Sequence, residues 1–351
     1  MAALPGSSPA PTAQTTPTTP NAQRRKWLRA AGATALGAPV LTLGRKAWSA
    51  PPLKPFTFAW APNGFCLTPV AVAQEQGFFE KNGLKVDLVS YAGSNDQLLQ
   101  TLSTGKADAA VGMIHRWLKP LEAGFDVKII SSVHGGCVRL IGSSAAGVTS
   151  LASLKGKTVG VSDLASPGKN FFAILLLKHG IDPDRDVNWR QYPADLLDVA
   201  VQKGEIQAIA DGDPNLYLLE RQRPGAYTHL ASNLSDEYAH KVCCVVAARG
   251  SLLRSDRATA ASLARALVEA TDFSRENPRE AAKSFAKYTP KFAVDDLVKL
   301  YATLTYDHHP ANVDLQQEIA YFAEDFKRAG VLKPTTDPQR FAAAVYTNVL
   351  G

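Results

Sequence analysis

The stretch Ala71–Met113, AVAQEQGFFEKNGLKVDLVSYAGSNDQLLQTLSTGKADAAVGM, changes its hydrophobic period several times in quick succession. Helical spacing runs to Gly77, Asn82-Gly83 makes a turn, and Leu84–Ser90 reads as a strand; a second helix starts near Asn95, and Ala107–Val111, apolar but for Asp108, reads as a buried strand. Strand, helix and strand in about thirty residues make a βαβ unit, which requires a parallel sheet and a right-handed crossover. The chain keeps to this alternation on both sides. Phe56–Ala61 opens with a strand, Thr68-Pro69 starts a helix as N-cap and first turn, and His115–Gly124 makes a third helix before strands at Val127–Val133 and Val138–Ser143. Further strands are expected at Val187–Tyr192, Ile206–Ala210 and Val242–Ala248. From Ser251 onward the pattern is helical, with Ile319, Phe322, Ala323 and Phe326 recurring at three and four.

The 351 residues suffice for two domains, and the net charge of +6 at first suggests a basic protein. Residues 1–50 hold six basic residues (Arg24, Arg25, Lys26, Arg29, Arg45, Lys46) and no acid. Of 38 basic and 32 acidic residues this leaves 32 against 32, so nucleic-acid binding has no electrostatic support. Met1–Asn21, rich in Pro, Ser, Thr and Ala, has the composition of a disordered tail. Arg24-Arg25-Lys26-Trp27-Leu28, the moderately apolar Ala30–Gly44 and the small residues Ala47–Ala50 then have the layout of a twin-arginine export signal, with cleavage expected after Ser49 or Ala50.

The wording of the central stretch carries a resemblance. Gln76-Gly77-Phe78-Phe79-Glu80, Gly83-Leu84-Lys85-Val86, and Leu102, Gly105 and Ala107-Asp108-Ala109-Ala110 resemble the periplasmic substrate-binding proteins of ABC importers for nitrate, sulfonate, taurine and bicarbonate. That group shares its fold with thiamine-pyrimidine synthases of the NMT1/THI5 type. Leu154-Lys155-Gly156-Lys157-Thr158-Val159 and Gly204-Glu205-Ile206-Gln207-Ala208 with Asp213-Pro214 match further phrases of the family, although Gly212 stands where an aromatic is usual. The resemblance spans about residues 55–350. It implies an α/β chain with the two-lobed, type II periplasmic-binding-protein fold, each lobe a mainly parallel sheet flanked by helices and the ligand cleft between the lobes. The expected division is a tail and signal at 1–50, a first lobe at 51–143 and 247–351, and a second lobe at 144–246.

Ligands in such folds bind outside the carboxyl ends of the strands. The loops there offer Asn63, Gly64, Phe65 and Cys66; Ser94 and Asn95; Met113 and His115; His134, Gly135 and Cys137; Ser166, Lys169 and Asn170; and Asp211 and Asp213. Ser94-Asn95 and Ser166-Pro167-Gly168 are places where helix N-termini attract anions, unless these residues are simply caps. Lys169 against Asp211 and Asp213 suits a zwitterion, and His115 and His134 are expected to donate hydrogen bonds to the ligand. A second reading gathers Cys66, Met113, His115, His134 and Cys137 as soft ligands for copper or zinc, with no compact metal signature to match. A Cys66–Cys137 disulfide is the structural alternative, and Cys243 and Cys244 read as buried core thiols.

No nucleophile elbow, phosphate-binding loop, zinc-protease or dinucleotide fingerprint occurs, so no catalytic residue, resident metal or cofactor is assigned. The resemblance implies an exported, periplasmic, monomeric receptor whose partners are a small anionic or polar ligand, an ABC permease and the twin-arginine machinery. A synthase of the thiamine pathway, with its longer cysteine cluster and its lysine- and histidine-dependent pyridoxal phosphate chemistry, is the enzyme alternative.

Overall fold

Phe58, Ala59 and Trp60 end the first strand, β1 (Lys54–Trp60), buried on both faces as a central strand must be. The computed structural model describes residues 52–91, 95–306 and 313–351; the proposed tail and export signal lie outside them. After α1 (Thr68–Glu75) and α2 (Phe78–Lys81) comes β2 (Leu84–Ser90), after α3 (Asn95–Ser103) comes β3 (Ala109–Met113), and after α4 (Leu118–Glu122) comes β4 (Val127–His134). The chain then crosses into a second sheet. It runs through β5 (Val138–Ser143), β6 (Lys157–Val161), α5 (Pro167–Lys178), β7 (Val187–Gln191), α6 (Leu197–Gln202), β8 (Ala208–Gly212), α7 (Asn215–Gln222) and β9 (Tyr227–Ser232). It returns as β10 (Cys244–Arg249), followed by α8 (Gly250–Ser255), α9 (Arg257–Glu276), α10 (Pro278–Ala286), α11 (Val294–Tyr301), α12 (Val313–Arg328) and α13 (Pro338–Val345).

The strand orders β2-β1-β3-β10-β4 and β7-β6-β8-β5-β9 repeat one pattern. In each sheet four strands share a direction, and the strand that has just arrived from the other sheet opposes them: β10 is antiparallel to β3 and β4, and β5 to β8 and β9. The expected lobe boundaries therefore move. Val138–Ser143, placed with the first lobe by sequence, pairs with β8 and β9 in the second, and the return begins at Cys244. A strand's own residues carry no mark of which sheet will receive it; only its register partners do.

The C-terminal helices close the first lobe. Asp256 caps α9 by accepting from the Thr259 amide at 3.2 Å, and Ala260, Ala264, Leu267 and Ala270 form its buried face. Edge-to-face rings join Trp60 to Tyr288 at 4.9 Å and Phe65 to Phe285 at 5.1 Å. On the other side α12 leans on the second lobe, where Asp325 meets Lys178 of α5 at 2.8 Å and accepts from the Tyr238 hydroxyl at 2.6 Å.

Candidate functional site

Because β1, β3, β6 and β8 are parallel within their sheets, the loops leaving their carboxyl ends gather at one place, and there a cleft of about 500 Å³ opens between the lobes. The first lobe contributes Asn63, Gly64 and Cys66 after β1, Tyr91 after β2, and Gly112, Met113 and Arg116 around the end of β3. The second contributes Ser162, Asp163 and Ser166 after β6, Gln191 at the end of β7, and Asp211, Gly212, Asp213 and Asn215 around the end of β8. Cys137, on the outward crossover, and Cys244, the first residue of β10, also line it.

Eight of the residues expected from sequence thus reach the cleft: Asn63, Gly64, Cys66, Met113, Cys137, Ser166, Asp211 and Asp213. Others do not. Phe65 is fully buried against Phe285 and Tyr301, since the turn Phe65–Leu67 rotates it into the core. Lys169 lays its ammonium over the Trp189 ring at 5.5 Å, a surface cation–π contact. Asn170 and His115 line a separate cavity of about 710 Å³. His115 is packed among Phe171, Phe322 and Phe326, and burial pushes its pKa down to about 3, so it stays neutral. Gly135 is held in a backbone bridge to Thr305, and His134 is fully buried beneath the Tyr306 ring. Asn95 opens α3, and Ser94 lies outside the described residues.

Ser166 does cap α5, accepting from the Lys169 amide at 3.1 Å. Asp213, expected to meet a ligand amine, is already engaged: Arg139 Nε donates to both its oxygens at 2.8 and 3.0 Å and the Tyr217 amide to one at 3.1 Å. Burial pushes the Asp213 carboxyl up to about 6 against the pull of Arg139. Asp211 keeps a freer carboxylate. Ser162 donates to it at 2.9 Å, and burial raises its pKa more than the Gly212 amide and Ser162 lower it.

Arg116 is among the cleft residues that the sequence reading missed, with Tyr91, Asp163, Gln191 and Asn215. It lies next to His115 in the 3-10 turn Ile114–Arg116, where successive side chains point about 120° apart, so His115 enters the core while Arg116 reaches the cleft and also borders the separate cavity. Its guanidinium carbon stands 5.8 Å from the Tyr91 ring centre, and its Nη1 is buried with no partner among the described residues. The turn signal was visible in sequence; its phase was not.

The thiols form a second feature of the same cleft. All four cysteines are free and buried, with Cys66 Sγ 4.0 Å from Cys244 Sγ and Cys137 Sγ 3.3 Å from Cys243 Sγ. The Cys137 thiol and burial together push the Cys66 thiol well up. Ligand atoms of Cys66, His134, Cys137 and Cys244 lie within 4.8 Å of one another. Cys244, assigned to the core by sequence, therefore joins three members of the expected soft set, while His115 is absent from it.

A family model described as NMT1/THI5 like matches residues 65–281, more than half of the chain. The chain belongs to the NMT1/THI5-like family. A candidate binding protein of Brucella abortus is 27% identical over 286 residues, 79% of this chain and 86% of that one. The 4-amino-5-hydroxymethyl-2-methylpyrimidine phosphate synthase THI11 of Saccharomyces cerevisiae is 23% identical over 263 residues, 70% and 74% of the two chains. Among solved structures, the alkanesulfonate-binding protein SsuA of Xanthomonas axonopodis pv. citri, bound to MOPS, superposes with a TM-score of 0.68 at 16% identity, over 85% of this chain and 99% of that one. The fold is thus that of periplasmic binding proteins. In this NMT1/THI5-like chain, Gly212 leaves the wall open where an aromatic was expected: a Cβ there would meet only the Cys137 carbonyl oxygen, at 3.8 Å.

Proposed function

We propose that this chain is an exported solute-binding protein of the ABC-import type, taking a small organic molecule with an anionic or accepting group at one end and an amine or other donor at the other. The observation that carries the reading is the distribution of charge across the cleft. Arg116 lines the cleft from the first lobe and carries a guanidinium nitrogen with no partner among the described residues, and Asp211 and Asp163 line the cleft from the second lobe. A guanidinium in a semi-enclosed site binds sulfonate or carboxylate with charge-assisted hydrogen bonds, and a carboxylate does the same for an amine. Amino-sulfonates such as taurine fit this pattern better than nitrate or bicarbonate, which have no donor of comparable strength for Asp211. The alkanesulfonate-binding neighbour and the Brucella relative support the receptor reading over catalysis. The same kinship supports delivery of the ligand, from the periplasm, to a membrane permease.

The test is calorimetric titration and thermal unfolding of the mature protein, from Ala50, with taurine, simple alkanesulfonates, nitrate, bicarbonate and aminopyrimidine precursors of thiamine. A zwitterion at a hundred times its Kd adds about 2.7 kcal/mol, a shift of several degrees. Arg116→Ala should weaken that ligand about 10- to 100-fold, as the loss of a charged hydrogen bond of ~1.5–3 kcal/mol requires. Binding of a ligand with affinity indifferent to both Arg116→Ala and Asp211→Asn would overturn the assignment of the site.

A further inference from the structure

We infer that Cys66, His134, Cys137 and Cys244 hold one thiophilic metal ion, zinc(II) or copper(I), at the point where both crossovers between the lobes meet the first loop of the chain. Three thiols and an imidazole are the donor set of structural zinc sites, and thiolates with imidazole also suit copper(I). The geometry is close to what such an ion needs. A tetrahedral zinc with bonds of about 2.0–2.3 Å places its ligand atoms roughly 3.5–3.8 Å apart; here the four lie within 4.8 Å, and Cys66 and Cys244 are at 4.0 Å.

Two further observations point to a ligand at this spot. His134 is 0% exposed, and neither ring nitrogen has a hydrogen-bond partner among the described residues. A buried imidazole in that state loses the hydrogen bonds it would make to water, and a metal on one nitrogen replaces them. Cys137 has a φ of +147°, a backbone conformation that side-chain-bearing residues rarely adopt. It is fixed there by Asn233, whose Oδ1 accepts from the Cys137 and Val138 amides at 2.9 and 3.0 Å. The strained residue is thus the one whose thiol must turn toward the other three donors.

The donors come from three separate segments. Cys66 follows β1, His134 and Cys137 bracket the outward crossing, and Cys244 opens the returning strand. An ion bound to all of them fastens both crossovers to the first lobe. The inference does not depend on which organic ligand the cleft takes, because Arg116 and Asp211 are outside this donor set.

The experiment uses the mature chain, reduced and stripped with chelator, then offered zinc(II) and copper(I) in competition with chromogenic chelators. One equivalent of either ion is expected, with its loss in Cys66→Ser, Cys137→Ser and His134→Gln and its retention in Cys243→Ser, since Cys243 is not one of the four. Cobalt(II) in the wild-type protein should show the sulfur-to-metal charge-transfer and visible bands of a tetrahedral thiolate site, a readout that holds even where a variant fails to fold. Failure to bind either ion at unit stoichiometry overturns the proposal. So does binding undiminished by the three ligand substitutions, or a mass of the unreduced protein that shows the four thiols paired as disulfides.

Discussion

Gly135 has no side chain to offer a ligand, and its importance is steric. A Cβ there would stand 2.3 Å from Thr305 Oγ1 and 2.9 Å from the Lys241 carbonyl oxygen, because the Gly135 and Thr305 backbones bond each other at 2.7 and 3.2 Å. Gly135→Ala should therefore cost ~1–3 kcal/mol and lower the melting temperature by several degrees; an unchanged Tm would mean that the Thr305 segment yields freely. The sequence showed the glycines beside His134 and Cys137 but not what fills the space they leave. Thr305 is far along the chain, and local pattern has no access to such a partner. The same limit explains Arg116 and His115, neighbours whose destinations were exchanged by the phase of one short turn. Asn63, Gly64, Cys66, Ser166 and Asp211 were legible because a loop that follows a parallel strand has one destination, whatever its packing partners.

Among the elements, the short helix α4 shows how a single carboxylate ties a helix to a distant segment. Glu122 accepts from Lys119 at 2.9 Å, from the Lys333 amide at 2.8 Å and from the Thr336 hydroxyl at 2.5 Å. Burial alone would raise its pKa, but these bonds, that of Thr336 foremost, hold it at about 2 against an ordinary 4.5. A carboxyl lowered on folding stabilises the protein above its unfolded value and loses that contribution as pH falls through the folded one. Glu122→Gln should thus cost ~1–3 kcal/mol at neutral pH, and the two proteins should converge in stability as the pH drops from 4.5 toward 2. A difference that persists unchanged across that range in denaturant titrations would show that the carboxylate charge is not what matters. At this scale the helices and strands were largely readable from period. The allocation of β5 was not, since a strand buried along nearly its whole length suits either sheet until its partners are known.

At the scale of the whole molecule, two sheets of one strand order each receive a strand from the other, so two short crossovers join the lobes. Rotation of such lobes has to work against the seam where α12 and His115 pack on α5, and binding proteins of this architecture close by hinge motion around their ligand. The proposed ligand contacts lie on opposite walls, Arg116 on one lobe and Asp211 on the other. A ligand that meets both gains more from the closed arrangement than from the open one, and only that difference in affinity can shift the population. Small-angle scattering of the mature chain should therefore show a smaller radius of gyration with saturating ligand than without. The Arg116→Ala variant, brought to saturation at higher concentration, should contract less, because one lobe has lost its hold. Equal contraction in both would place the closing contacts elsewhere in the cleft, and no contraction in the wild type would mean that the lobes are already fixed. The second outcome connects to the thiols: an ion fastening both crossovers to the first lobe should stiffen the hinge, so contraction measured with and without metal separates a protein that cannot close from one that has been locked.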